Sequence, residues 1–104
     1  MMFDKPAYFE SNKEWYYFDP RKIRLKLTDK ATPKAINSYI EHYCLLEGMP
    51  LSLNDEEFAE LEKEIRERTK QEIRDYKENK ERYTFETDER GNQILTKIDG
   101  KPIF

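Results

Sequence analysis

The hydrophobic positions of this chain change period as it is read from one end to the other. From Lys22 to Leu27 they alternate, with Ile23, Leu25 and Leu27 on one side and Lys22, Arg24 and Lys26 on the other. Period two is the signature of a half-buried strand, here with a basic outer face. Just upstream, "WYYF" at 15–18 is built of strong strand formers, and Asp19–Pro20 is a turn signal. Residues 14–28 are therefore expected to form a β-hairpin. Its register leaves open which of Tyr16 and Tyr17 faces inward.

The period then lengthens. Ala35, Ile36, Tyr39, Ile40, Tyr43 and Cys44 recur at helical spacing. Thr32 is placed to cap this helix, Pro33 suits its first turn, and Gly48 and Pro50 stop it, which gives a helix over 33–47. "MPLSL" reads as a short apolar linker. Asn54 then opens a stretch to Arg82 with no Gly and no Pro, and Glu57 completes a capping box. At 100° per residue, Phe58 and Tyr76 lie on one line of this helix, with Ile65 and Thr69 within about 20° of it and Leu61 and Ile73 within about 60°. One narrow apolar stripe results, and charge covers the rest. A strict heptad from Phe58 would place Arg68, Glu72 and Asp75 in the seam, so a straight packed helix is expected rather than a long coiled coil. Glu62–Arg66, Glu64–Arg68 and Glu78–Arg82 stand at the spacing of helical ion pairs.

The last third returns to strand patterning. Tyr83–Thr87 and Gln93–Ile98 flank "DERGN", where Gly91 and Asn92 tolerate positive φ, so 83–98 is a second hairpin. The predicted fold is α+β: two antiparallel β-hairpins, pooled in one small sheet or separate, packed on one medium helix and one long charged helix. It is a single domain, 1–104, with an irregular N-terminal arm over 1–13 that docks Phe3, Tyr8 and Phe9, and a tail over 99–104. The core is expected to draw on Trp15, Tyr17, Ile23, Leu25, Leu27, Ile36, Tyr39, Ile40, Tyr43, Phe58, Leu61, Ile65 and Phe85.

Composition sharpens this picture. Hydrophobic residues are 37% and charged residues 39% of the 104, so the core is small and its aromatic residues matter. A 28-residue helix spans roughly 42 Å, whereas a compact chain of this length is roughly 33 Å across. Unbroken, the long helix is expected to overhang its body; its second half then either projects, presenting Ile73 and Tyr76 to a partner, or bends.

Little catalytic chemistry is legible. His42 is the only histidine and Cys44 the only cysteine; two residues apart on a helix, their side chains diverge by about 200°. Ser38 lies one turn from His42, with no acid to orient the ring. No zinc spacing, calcium loop or phosphate loop is present, so neither a metal nor a cofactor is expected, and the chain is not expected to be an enzyme. A lone cysteine and no apolar signal segment point to the cytoplasm, and no apolar run is long enough to span a membrane.

Two charged surfaces remain. Residues 55–64 hold six carboxylates against Lys63. Together with the overhanging stripe they define the leading expectation: a protein-interaction module that binds a protein target, or itself as a homo-oligomer, through Glu56, Glu57, Glu60, Glu62, Glu64, Ile73 and Tyr76. A short, acidic, highly charged chain without a catalytic signature has the general style of accessory or inhibitor proteins of phages and mobile elements, acting on nucleic-acid-processing enzymes. The alternative is a weak RNA or single-stranded DNA binder. It would track the backbone with Lys22, Arg24 and Lys26 and stack bases on Tyr16.

Overall fold

The computed structural model describes residues 7–103. Its first hairpin pairs Tyr16–Asp19 (β1) with Arg24–Leu27 (β2), Tyr16 opposite Leu27 and Phe18 opposite Leu25. Asp19 shapes the turn, since its carboxylate accepts the Arg21 backbone N–H at 3.0 Å. Ile23 closes that turn with a φ of 53° and is 81% exposed. The expected alternation thus begins two residues late, at Arg24 instead of Lys22, and Ile23 does not join the core: closing the turn takes precedence over burying one side chain.

The second hairpin has the bounds its pattern predicts, Tyr83–Thr87 (β3) and Gln93–Ile98 (β4). The Asp88 carboxylate closes its loop by accepting the backbone N–H groups of Arg90 and Asn92, and Gly91 takes the positive φ foreseen for it. The tail returns as Lys101–Pro102 (β5), paired to β4. The two hairpins join where Phe18 pairs with Ile94 in parallel, so the strand order is β2-β1-β4-β3 in one mixed sheet.

Both faces of β1 are covered, and Tyr16 and Tyr17 are therefore both buried. Tyr16 meets the Phe9 ring edge-on at 5.9 Å; Tyr17 stacks on Tyr76 at 5.4 Å and meets Phe85 at 5.2 Å. Phe9 lies in the N-terminal arm. Instead of being irregular, that arm makes two 3-10 turns, Tyr8–Ser11 and Lys13–Trp15. Phe9 is fully buried, and its backbone N–H donates to Ser38 Oγ at 3.3 Å. The Ser38 hydroxyl thus serves the arm. Phe3 lies outside the described residues.

The medium helix, Pro33–Gly48 (α1), is capped by Thr32 and buries Ala35, Tyr39, Ile40, Tyr43 and Cys44. Its tyrosines also plug the edge of the sheet. The Leu25 carbonyl accepts the Tyr39 hydroxyl at 2.8 Å, and the Leu25 N–H donates to the Tyr43 hydroxyl at 3.1 Å. Edge-strand groups that would otherwise invite another strand are thereby satisfied by a helix. Gly48 is helical, with a φ of −90°, so it does not make the left-handed stop expected of it. What it supplies is clearance: a Cβ there would sit 2.8 Å from Phe58 and 2.9 Å from Leu61.

The long helix, Asp55–Asn79 (α2), is unbroken; Asn54 and Glu57 form the capping box, and one 3-10 turn, Lys80–Arg82, follows. Its stripe packs as the wheel requires. Ile65 and Thr69 are fully buried, and the Thr69 hydroxyl donates back to the Ile65 carbonyl at 2.7 Å. The overhang is absent. Twenty-five helical residues span about 37 Å, within a molecule 44 × 29 × 27 Å. α1 covers the first half of α2 and the sheet covers the second, where Tyr76 lies among Tyr17, Tyr83 and Phe85 and Ile73 packs on the core.

Candidate protein-docking face

The basic strand is withdrawn from solvent. Arg24 and Lys26 side chains are only 16% and 12% exposed, because α2 lies against them. Arg24 donates to both oxygens of Glu72 and to the Tyr39 hydroxyl. Lys26 reaches Asp19 at 2.9 Å and Glu72 at 4.0 Å, and Arg21 meets Asp19 at 3.0 Å. Burial works to raise the Asp19 carboxyl, but its bonds to Arg21 and Lys26 outweigh that and hold it at about 2. Burial pushes the phenols of Tyr17 and Tyr39 well above their ordinary range. Of the residues expected to hold a single strand, Lys22 is exposed in the turn, Arg24 and Lys26 are committed to carboxylates, and Tyr16 is in the core, its hydroxyl donating to Asn92. Tertiary packing thus breaks up this row of cations and withdraws Tyr16 from its side.

The acidic half of α2 is different. Glu56, Glu57, Glu60, Glu62 and Glu64 are all exposed. Glu57 also serves the cap, accepting the Asn54 N–H, and Glu62 pairs with Arg66 at 3.1 Å as its spacing predicts. The other two expected helical pairs are replaced: Arg68 turns to Glu47 on α1, and Arg82 to Asp99 beyond β4. Ile73 and Tyr76 do not join the acidic residues, since the sheet holds them.

What does join them is the corner between α1 and α2. Leu45, Leu46, Met49 and Leu51 are 47%, 50%, 68% and 64% exposed. They account for four of the six large apolar side chains exposed among the described residues; Tyr8 and Ile23 are the others. Beside them a groove of about 410 Å³ runs between the helices, floored by Ile40, Cys44, Leu45 and Phe58 and rimmed by Glu41, Glu62 and Arg66. Arg66 spans one side, donating to Asn37 on α1 and to Glu62 on α2. Burial raises the Cys44 thiol above its usual value, with Glu62 and Glu47 adding to the effect. This cysteine is a small apolar floor residue and not an activated nucleophile.

The pattern does not single out Leu45 or Leu46, and it places Met49 and Leu51 only in the apolar linker "MPLSL". The signal is the aliphatic-rich stretch "CLLEGMPLSL", in which Leu45 and Leu46 extend past the buried face of α1 and the linker adds Met49, Leu51 and Leu53. Among the described residues no group of His, Cys, Asp and Glu is gathered for a metal ion, and no helix is long and apolar enough to cross a membrane. Comparison with protein-family models, curated proteins and solved structures finds no match for the chain.

Proposed function

We propose that this protein is a non-enzymatic interaction module that docks a protein target on the α1–α2 corner. The observation that carries this reading is that Leu45, Leu46, Met49 and Leu51 are exposed within seven residues of the chain, beginning at Leu45, which lines an apolar-floored groove. Single exposed aliphatic residues are ordinary, but a contiguous set rimmed by charge is the usual form of an interaction surface. The molecule's apolar supply is small, which makes four solvated aliphatic side chains in one place harder to ascribe to chance. In its narrower form the reading is that of an accessory or inhibitor protein whose acidic corner fits a basic surface of a nucleic-acid-processing enzyme. A role in holding RNA or single-stranded DNA has less support, because Arg24 and Lys26 are paired and Tyr16 is buried.

The test is site-specific photo-cross-linking in the native host. Benzoylphenylalanine at Leu46 or Met49 should yield a discrete protein adduct, and the same probe at exposed Thr84 on β3 should not. The adduct should disappear when Leu51→Ser and Leu45→Ser are added, with the far-ultraviolet circular dichroism spectrum unchanged. No adduct at either corner position would remove the reading.

A further inference from the structure

Resting on that docking reading, we infer that the corner accepts a basic amphipathic helix of a partner protein, an aliphatic anchor in the groove and its Lys or Arg side chains against the carboxylate rim. The charge distribution points there first. Residues 41–67 hold nine carboxylates against Lys63 and Arg66, a net of −7, whereas the whole chain is −3. The acidity is thus concentrated in the stretch that supplies most of the groove, and the remainder of the chain, which includes the Arg68 that pairs with Glu47, is +4. One of the two cations is already engaged, since Arg66 is held by Glu62 and Asn37. Glu41 and Glu62 line the groove itself, while Glu56, Glu60 and Glu64 stay exposed on the outer side of α2. Such a field attracts cationic segments and repels nucleic acid and anionic lipid.

Shape narrows the class. The groove lies at the small end of the range for ligand pockets, about 300–1,000 Å³, which suits a few anchoring side chains. Its walls are two helices, the setting in which a third amphipathic helix is held by residues one turn apart. The apolar floor requires an anchor, so charge alone does not satisfy the site. A second copy of this chain is a poor occupant. Corner against corner opposes two stretches of like net charge, and elsewhere the described surface offers only Tyr8 and Ile23 as large exposed apolar residues.

Three labelled helical peptides of about 18 residues, five turns, separate the outcomes when titrated into the full chain by fluorescence anisotropy. One alternates Lys and Leu in an amphipathic pattern, one replaces Lys with Gln, and one replaces Leu with Ser. The Lys/Leu peptide should bind roughly tenfold or more tightly than either control, and weaken as salt rises. Leu46→Ser with Met49→Ser, and separately Glu41→Lys with Glu62→Lys, should each reduce that affinity roughly tenfold, with the circular dichroism spectrum unchanged. Equal binding of the Gln/Leu peptide would overturn the basic partner while leaving the docking face intact. Equal binding of the Lys/Ser peptide would reduce the site to diffuse charge and overturn the inference. Binding by none would also overturn it, and the cross-link at Leu46 then decides whether the docking reading falls too. A dimer seen by light scattering and lost in the Leu46→Ser, Met49→Ser protein would replace the inferred partner with a second copy.

Discussion

The two halves of α2 share one apolar stripe, but the first carries a net charge of −4 and the second is neutral, and they meet different fates. The second half, from Thr69 to Asn79, is covered by the sheet. Tyr76 lies in an aromatic cluster, Ile73 reaches the core, and Glu72, which the wheel places within about 40° of the Phe58 line, binds Arg24. The first half, from Asp55 to Arg68, is covered only on the side facing α1. Its carboxylates stay in water, and the neighbouring apolar residues of α1 and the following turn stay with them. A stripe read from sequence therefore marks where a helix can pack; what covers its flanks decides whether a charge becomes a structural bond or a rim. The half that looked free to bind is the one the fold uses for itself.

Substitutions in the two halves should break this symmetry. The largest effect is expected at Glu72→Ala, which leaves Arg24 and Lys26 partly buried beside Asp19 alone; about 3 kcal/mol of stability should be lost in urea unfolding. The matching change in the first half, Glu60→Ala, should fall within about 0.5 kcal/mol of the parent. If the two cost the same, the contrast between the halves is wrong. Next, Tyr76→Ala removes a half-buried ring from between Tyr17 and Phe85 and should cost about 2.5 kcal/mol. A neutral result would mean that the second half is not anchored as its contacts imply.

Acid offers a third measurement. The folded Asp19 carboxyl sits at about 2, against about 3.9 in an unfolded chain. The folded state therefore binds the proton more weakly, and the unfolded state gains protons first as pH falls. The associated stability is fully present above about pH 4 and is lost as pH falls toward 2, a change of about 2 kcal/mol. Asp19→Asn should flatten that part of the pH profile while lowering stability at neutral pH. An unchanged acid slope would show that the pairs to Arg21 and Lys26 do not form. The smallest effect on stability is expected at the corner, where Leu46→Ser with Met49→Ser should shift unfolding by no more than about 0.5 kcal/mol. A large loss there would make these side chains part of the core and remove the surface on which docking depends.

Several of these elements were written locally. Thr32 and Pro33 start α1, the Asn54–Glu57 pair starts α2, and the "DERGN" loop sets the second hairpin, because caps and turns are hydrogen-bonding problems solved within a few residues. The same locality explains why Phe58, Ile65, Thr69 and Tyr76 could be placed on one line of a helix before any contact was known. It fails at Ile23, where turn closure competes with alternation, and at Arg68 and Arg82, whose tertiary partners lie outside the helix.

What the sequence alone determined is the order and type of elements and the inward stripe of each helix, since these follow from backbone geometry and side-chain spacing. Which surfaces remained open was decided only in three dimensions. Covering both faces of β1 buried Tyr16 along with Tyr17, and laying α2 on β2 turned a basic strand into a set of ion pairs. The crossing of α1 and α2, close at Gly48, leaves Leu45, Leu46, Met49 and Leu51 exposed. Exposure is a relation between elements distant in the chain, and no periodicity within one of them encodes it.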